Sequence, residues 1–283
     1  MLRKIVILLE MIKFQHTVFA LPFAFMGAFL ARRGVPDLVT VGWVLLAMAG
    51  ARTCAMGFNR IVDRRFDALN PRTADRALPA STVRLWEAWA MVLLSGGLFF
   101  YACANLNRLT LQLAPLALAL TLVYSLTKRF TWLCHVVLGI ALACSPLGGW
   151  VAVRGSLEGY PFWLSLGVLF WVAGFDAVYA CLDADFDRKQ GLFSLPARFG
   201  RRTAFRLAAA AHLLAFGCFT ATGLAAGLGF VYYLGIALTA AALVQQHRVV
   251  SPTDLSRIQL SFFTMNGLIS LTLFVATWLD LVL

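Results

Sequence analysis

The sequence predicts an all-α polytopic membrane protein, a bundle of nine transmembrane helices forming a single domain over residues 1–283. Three observations predict it. Hydrophobic residues make up 61% of the 283-residue chain and charged residues only 13%, more apolar material than one soluble core can bury. Apolar stretches of about 17 to 25 residues recur along the whole length, which is the span a helix needs to cross the hydrocarbon. Most lysines and arginines fall between those stretches, and mostly on one side.

Apolar windows predict helices at about 14–31, 38–62, 86–104, 109–126, 131–153, 161–184, 203–226, 228–244 and 260–281. The split between the seventh and eighth rests on Gly227 and Gly229. Met1 to Lys13 lacks a small-residue cleavage site, so the first span is expected to be retained. With the N-terminus cytoplasmic, most of the 24 Lys and Arg collect on the cytoplasmic side, from Arg3, Lys4 and Lys13 to Arg248 and Arg257. Arg32, Arg33, Arg108 and Arg154 fall opposite, which supports an odd number of spans. This topology accounts for the net charge of +11, and no nucleic-acid motif accompanies it. The six cysteines lie singly in apolar segments without Cys-x-x-Cys spacing and read as small core residues.

Two connections on the cytoplasmic face, 63–85 and 185–202, are too long for simple turns, and loops of that length carry function. Each follows a cluster of acids. Asn59, Asp63 and Asp67 are spaced i, i+4, i+8, one stripe of a helix at 3.6 residues per turn. In "FDAVYACLDADFDRKQG" Asp183 and Asp187 are again four apart, while Asp185 points away. Carboxylates packed at a low-dielectric boundary are costly unless a cation or proton offsets them. Facing oxygen pairs suit a hard divalent ion, and magnesium prefers one or two carboxylates plus substrate phosphate oxygens.

Deeper on the same helix faces, seven residues before each cluster, lie Arg52 and Asp176; they are expected to face the bundle interior and either pair with each other or support the acids. Arg72 and Arg76 follow the first stripe and would add positive charge beside a diphosphate. Lys128 and Arg129, between the fourth and fifth predicted helices, could receive an anionic group of a second substrate.

Together these residues resemble the UbiA superfamily of intramembrane prenyltransferases. The family's NxxxDxxxD motif is met by Asn59, Asp63 and Asp67, its DxxxD motif by Asp183 and Asp187. Its Arg seven before the Asn, its Arg-Thr-x-x-Arg-x-Leu-Pro loop (Arg72 to Pro79), its Tyr-x-x-x-Lys-Arg stretch (Tyr124 to Arg129) and its nine-helix bundle have counterparts too. "HTVFALPFAF" and "GFNRIVDRRFDALNPRT" are most similar to the bacterial 4-hydroxybenzoate polyprenyltransferase-like group, including the futalosine-pathway menaquinone branch. One departure is Phe193, where many relatives carry a basic residue or histidine before the Ser; Lys189 and Arg198 are the substitutes nearby.

The resemblance implies a magnesium-dependent enzyme of the bacterial inner membrane with a cytoplasmic active site. It would join a polyprenyl diphosphate to the ring of a small aromatic acid, 4-hydroxybenzoate or a dihydroxynaphthoate, in ubiquinone or menaquinone biosynthesis. It assigns Asn59, Asp63, Asp67, Asp183 and Asp187 to metal and diphosphate, with the four aspartates catalytic. It assigns Arg72, Arg76 and Lys189 to diphosphate and Arg129, Lys128 and Tyr124 to the aromatic substrate; Arg52 and Asp176 stand behind them. Loop 63–85 is the expected lid against water. A CDP-alcohol phosphotransferase also uses magnesium and membrane-face aspartates, but its opening Asp-Gly and Ala-Arg arrangement is missing. An ion-coupled transporter would hold its charges nearer the midplane.

Overall fold

The computed structural model describes residues 2–12 and 17–283, and every described element is helical. The predicted start of the first helix at residue 14 lies outside the described residues, as does Lys13; the side chain of Arg3 is likewise outside them. A short helix α1 (Leu2–Met11) precedes α2 (Thr17–Arg32), α3 (Leu38–Leu69), α4 (Leu85–Ala104), α5 (Arg108–Thr127), α6 (Cys134–Arg154) and α7 (Pro161–Tyr179). Beyond them come α8 (Ala184–Lys189), α9 (Leu195–Phe199), α10 (Arg201–Ala226), α11 (Phe230–Arg248) and α12 (Asn266–Val282). Among the described residues, seven helical segments are long and apolar enough to cross a bilayer, and Phe19–Arg32 forms a shorter apolar helix. The chain is an integral membrane protein.

Local chemistry sets the helix ends. Asp37 caps α3 by accepting from Thr40 N at 2.9 Å, and Asn107 caps α5 by accepting from Thr110 N at 2.9 Å. Gly227 closes α10 at φ 63°, a left-handed conformation that only glycine adopts without cost. The next helix starts at once, because Asp280 accepts from Gly229 N (2.6 Å) and Tyr232 N (3.1 Å) and so offsets the positive end of α11. The split expected at Gly227 and Gly229 is therefore a capped turn.

Three predicted boundaries move. α3 continues to Leu69, so Asp63 and Asp67 are helical and the long connection shortens to 70–84. The helix predicted over 161–184 ends at Tyr179, passes through a 3-10 turn (Ala180–Leu182) and resumes as α8. The last helix begins with a π-helical segment, Leu260–Met265. α1 is an addition that the unbroken reading of the N-terminal segment did not foresee. It lies against α3 and α4: Lys4 pairs with Glu87, and Arg60 Nε donates to Met11 O at 3.0 Å.

α3 packs on α4 with α5 beside both, whereas α2 packs on α6, α6 on α7, α7 on α10, and α12 returns to α2. Phe23, Trp171, Phe219, Tyr232, Ile269 and Leu273 are completely buried in the larger cluster. Leucines and phenylalanines such as Leu93, Leu94, Leu213, Leu224 and Phe230 are exposed on the outside, the arrangement of a protein whose solvent is lipid. The described cysteines are all free, four of them buried.

α2 and α6 cross at backbone contact. A Cβ on Gly149 would fall inside the van der Waals radius of the Ala24 carbonyl oxygen, and one on Gly27 inside that of Pro146. Small residues allow such an approach. Gly149→Ala is expected to lower stability by roughly 1–3 kcal/mol through overpacking, read as thermal unfolding in nanodiscs. Gly148→Ala, where nothing lies within 4 Å, should leave the transition unchanged or raise it.

Candidate active site

The acids of the first motif occupy the last turns of α3. Asp63 is 3% and Asp67 6% exposed, so their charge must be offset locally. Asn59 Nδ2 donates to Asp63 Oδ2 at 3.2 Å. From the end of α5, Lys128 Nζ reaches the same oxygen at 2.7 Å and Arg129 Nη2 reaches Asp63 Oδ1 at 3.3 Å. Arg129 also donates to Val62 O at 2.6 Å and lies over the Phe66 ring. Asp67 Oδ1 accepts from Arg76 Nη1 at 2.8 Å, while Asp67 Oδ2 is buried with no hydrogen-bond partner.

The second motif sits where α7 gives way to α8, and the segment after α3 reaches across to it. Asn70 Nδ2 donates to Asp183 Oδ1 at 2.9 Å, and Arg72 grips both Asp183 oxygens, with Nε to Oδ1 at 2.9 Å. Thr73 Oγ1 donates back to Asp67 O at 3.0 Å, which fixes the turn presenting Asn70 and Arg72. Asp187 keeps helical register through Asp187 N to Asp183 O (2.7 Å), and its Oδ2 accepts from Ser194 Oγ at 2.8 Å. Burial holds the Asp187 carboxyl above the ordinary carboxylate range; the Ser194 hydrogen bond pulls it down and the Asp183 charge raises it again. The two motifs, more than a hundred residues apart in sequence, thus meet at one end of the bundle.

Not every sequence-predicted residue joins them. Lys189 is exposed and makes no hydrogen bond or ion pair among the described residues. Asp185 is exposed and pairs outward with Arg188 and Arg201. Arg198 is exposed over the Phe199 ring. Tyr124 is partly buried, its hydroxyl 4.0 Å from Met56 Sδ. Of the two expectations for Arg52 and Asp176, pairing with each other or support of the acids, the pairing gives way: Asp176 Oδ2 lies 2.7 Å from His135 Nδ1, because α6, not α3, packs closely against α7. Arg52 stays on α3, partly buried.

Sequence reasoning missed His135, Asn70 and Tyr179. A lone histidine in an apolar helix carries no periodic signal, whereas Asn70, three residues beyond Asp67, was open to notice. Tyr179 contacts Arg72, and its ring lies tilted against Phe262 of the π-helical segment with centroids 4.2 Å apart; the Phe175 ring lies 5.4 Å from that of Phe262. π-helical segments recur at functional sites.

The donor set is made of hard carboxylate oxygens, one of them buried without a partner, and it fits a divalent ion such as magnesium. Among the described residues no group of three His, Cys, Asp or Glu lies close enough together to hold a metal ion by itself. A model of the UbiA prenyltransferase family matches residues 20–268.

The chain belongs to the UbiA prenyltransferase family.

It is therefore a prenyltransferase, and the phosphotransferase and transporter alternatives fall. This UbiA-family chain is 30% identical over 255 residues to a 4-hydroxybenzoate octaprenyltransferase of Shewanella woodyi, covering 90% of this chain and 88% of the relative. It is 32% identical to a protein of the same name from Nitrosospira multiformis, over 90% and 87%. Among solved structures, a UbiA homolog from Aeropyrum pernix K1 in its apo form superposes with a TM-score of 0.86 at 36% identity, covering 94% of this chain and 98% of that one. A UbiA homolog from Archaeoglobus fulgidus, bound to GPP and Mg2+, shares the fold with a TM-score of 0.71 at 19% identity, over 98% and 100%.

The Arg72–Asp183 tie is partly exposed, so a double-mutant cycle on Arg72→Gln and Asp183→Asn should give a coupling of only about 1 kcal/mol. The measurement is thermal unfolding of the four proteins in nanodiscs at fixed salt.

Proposed function

We propose that this chain transfers a polyprenyl group from a polyprenyl diphosphate to a ring carbon of a small aromatic acid, using magnesium, in ubiquinone or menaquinone biosynthesis. The observation that carries this reading is the meeting of Asp63, Asp67 and Asp183 with Arg72, Arg76, Lys128 and Arg129 at one mouth of an apolar bundle, with Asp187 one helical turn beyond Asp183. An acid cluster alone would repel a diphosphate, and a basic cluster alone would not hold a divalent ion. The two interleaved suit a metal-bound diphosphate. The relatives named for 4-hydroxybenzoate favour that acceptor over a dihydroxynaphthoate.

Asn59, Asp63, Asp67, Asp183 and Asp187 would hold the metal and through it the diphosphate. Bound there, magnesium supplies Lewis-acid charge to the leaving group. The ion pairs now closed on these acids would open, which frees Arg72 and Arg76 to bind diphosphate oxygens and Lys128 and Arg129 to receive the acceptor's carboxylate. Lys189, exposed at the end of α8, would meet the diphosphate only from the solvent side. Tyr124 borders the acceptor's position; Arg52 and Asp176 support from deeper in the bundle. The allylic carbon–oxygen bond breaks with its electron pair leaving on the diphosphate. A ring carbon beside the phenolic hydroxyl forms the new carbon–carbon bond, and loss of the ring proton restores aromaticity. The segment 70–84 and the rings of Tyr179, Phe175 and Phe262 would keep water from the allylic cation and tolerate its charge at their faces.

In this reading the whole of 1–283 is one domain, and α2, α3, α4, α5, α6, α7, α10, α11 and α12 each cross a bacterial inner membrane. The N-terminus and the acids lie in the cytoplasm, as the distribution of Lys and Arg supports.

Asp63→Ala and Asp187→Ala are each expected to abolish turnover of geranyl diphosphate with 4-hydroxybenzoate while thermal unfolding in nanodiscs remains cooperative. Chelation by EDTA should silence the unmodified protein and added magnesium restore it. Full activity in either variant, or in EDTA, would refute the assignment.

A further inference from the structure

Three consecutive residues leading from α8 into α9 each tie a different part of the site together. Phe193 N donates to Lys128 O at 2.6 Å, Ser194 Oγ donates to Asp187 Oδ2 at 2.8 Å, and Leu195 N donates to His135 Nε2 at 3.2 Å. The last tie is the unusual one. His135 is 4% exposed, packed on α6 among apolar neighbours, where a polar ring is costly unless both nitrogens are used. Both are used. Because Nε2 accepts from the Leu195 amide, the ring proton sits on Nδ1, where it donates to Asp176 Oδ2 at 2.7 Å. A carboxylate behind an imidazole fixes its tautomer and orientation.

The direction of this chain matters: Asp176 orients His135, His135 receives the Leu195 N–H, and the Leu195 backbone fixes the Ser194 hydroxyl that holds Asp187. Ser194 also caps α9, accepting from Ala197 N at 3.4 Å, so its side chain has little freedom to follow Asp187 if the strap shifts. Lys128, whose carbonyl holds Phe193, is the same residue whose ammonium sits on Asp63. The strap therefore registers the second acid motif against the first.

We propose that His135 is a positioning residue: through the Leu195 amide it holds the Phe193–Leu195 strap, and so the Asp187 carboxylate, in place for the metal-bound diphosphate. The last clause rests on the proposed function above; the strap itself does not. Replacing a group of this kind behind a metal ligand costs about 10- to 100-fold in metal affinity.

The test uses full-length protein in nanodiscs and two measurements. Hydrogen–deuterium exchange of a peptide covering 192–199 reads the strap without reference to activity. The magnesium concentration for half-maximal turnover of geranyl diphosphate with 4-hydroxybenzoate reads the acid site. His135→Leu should speed exchange in that peptide, leave peptides from α10 and α12 unchanged, and raise the magnesium requirement about tenfold or more. His135→Gln, whose amide can donate to Asp176 and accept from Leu195, should restore both to within about threefold of the parent, below that range. Leu195→Pro gives a second route, since proline suits the first position of α9, removes the backbone donor and keeps an apolar side chain at a buried position; it should reproduce His135→Leu. Unchanged exchange at 192–199 in His135→Leu or Leu195→Pro would overturn the proposal, as would failure of glutamine to rescue. Faster exchange with an unchanged magnesium requirement would keep the strap and overturn its role at the metal.

Discussion

The structure depends on offsetting carboxylate charge at the low-dielectric end of a lipid-facing bundle. Asp63 and Asp67 are almost wholly buried, and isolated ionised carboxylates there would cost far more than a marginally stable fold can absorb. They are held by groups from elsewhere in the chain: Lys128 and Arg129 from the end of α5 and Arg76 from the turn after α3. Asp183, more open, is held by Asn70 and Arg72 from that same turn. Each offset is also a tertiary tie, so the electrostatic requirement pins α5 and the α7–α8 junction to the tip of α3.

Function and stability draw on the same contacts. A pair that is partly exposed contributes little net stability, since Coulomb attraction is screened and side-chain ordering opposes it. In the proposed function that weakness suits acids that would exchange one set of partners for another. Arg72 and Arg76 lie on the exposed side of their pairs and Lys128 and Arg129 are about one-third exposed, whereas the groups that hold backbone in place, Thr73, Ser194 and His135, are buried. The basic partners of the acids are partly open to solvent, and the groups that hold backbone are enclosed.

The aromatic residues beneath the acids extend this division. Tyr179 belongs to both layers, its hydroxyl 3.4 Å from Arg72 and its ring tilted against Phe262. A π-helical segment brings Phe262 there at the start of the last helix, and Phe175 and Trp171 continue the ring contacts inward. These ring contacts link the polar mouth to the apolar interior.

What the sequence by itself determined was periodicity and composition. Apolar runs of membrane-spanning length, the i, i+4, i+8 spacing of Asn59, Asp63 and Asp67, and the one-sided distribution of arginine are local patterns, so the helices, the candidate acids and the family were legible in the chain alone. The glycine pair at 227 and 229 was legible for the same reason. What only the tertiary structure decided was which groups face each other. α3 runs past its apolar window because basic partners and the cap at Asn70 sustain it, and a hydropathy reading stops where charge begins. His135, not Arg52, partners Asp176 because α6 packs against α7 through small residues, a contact between segments distant in sequence that no period of 3.6 residues can encode.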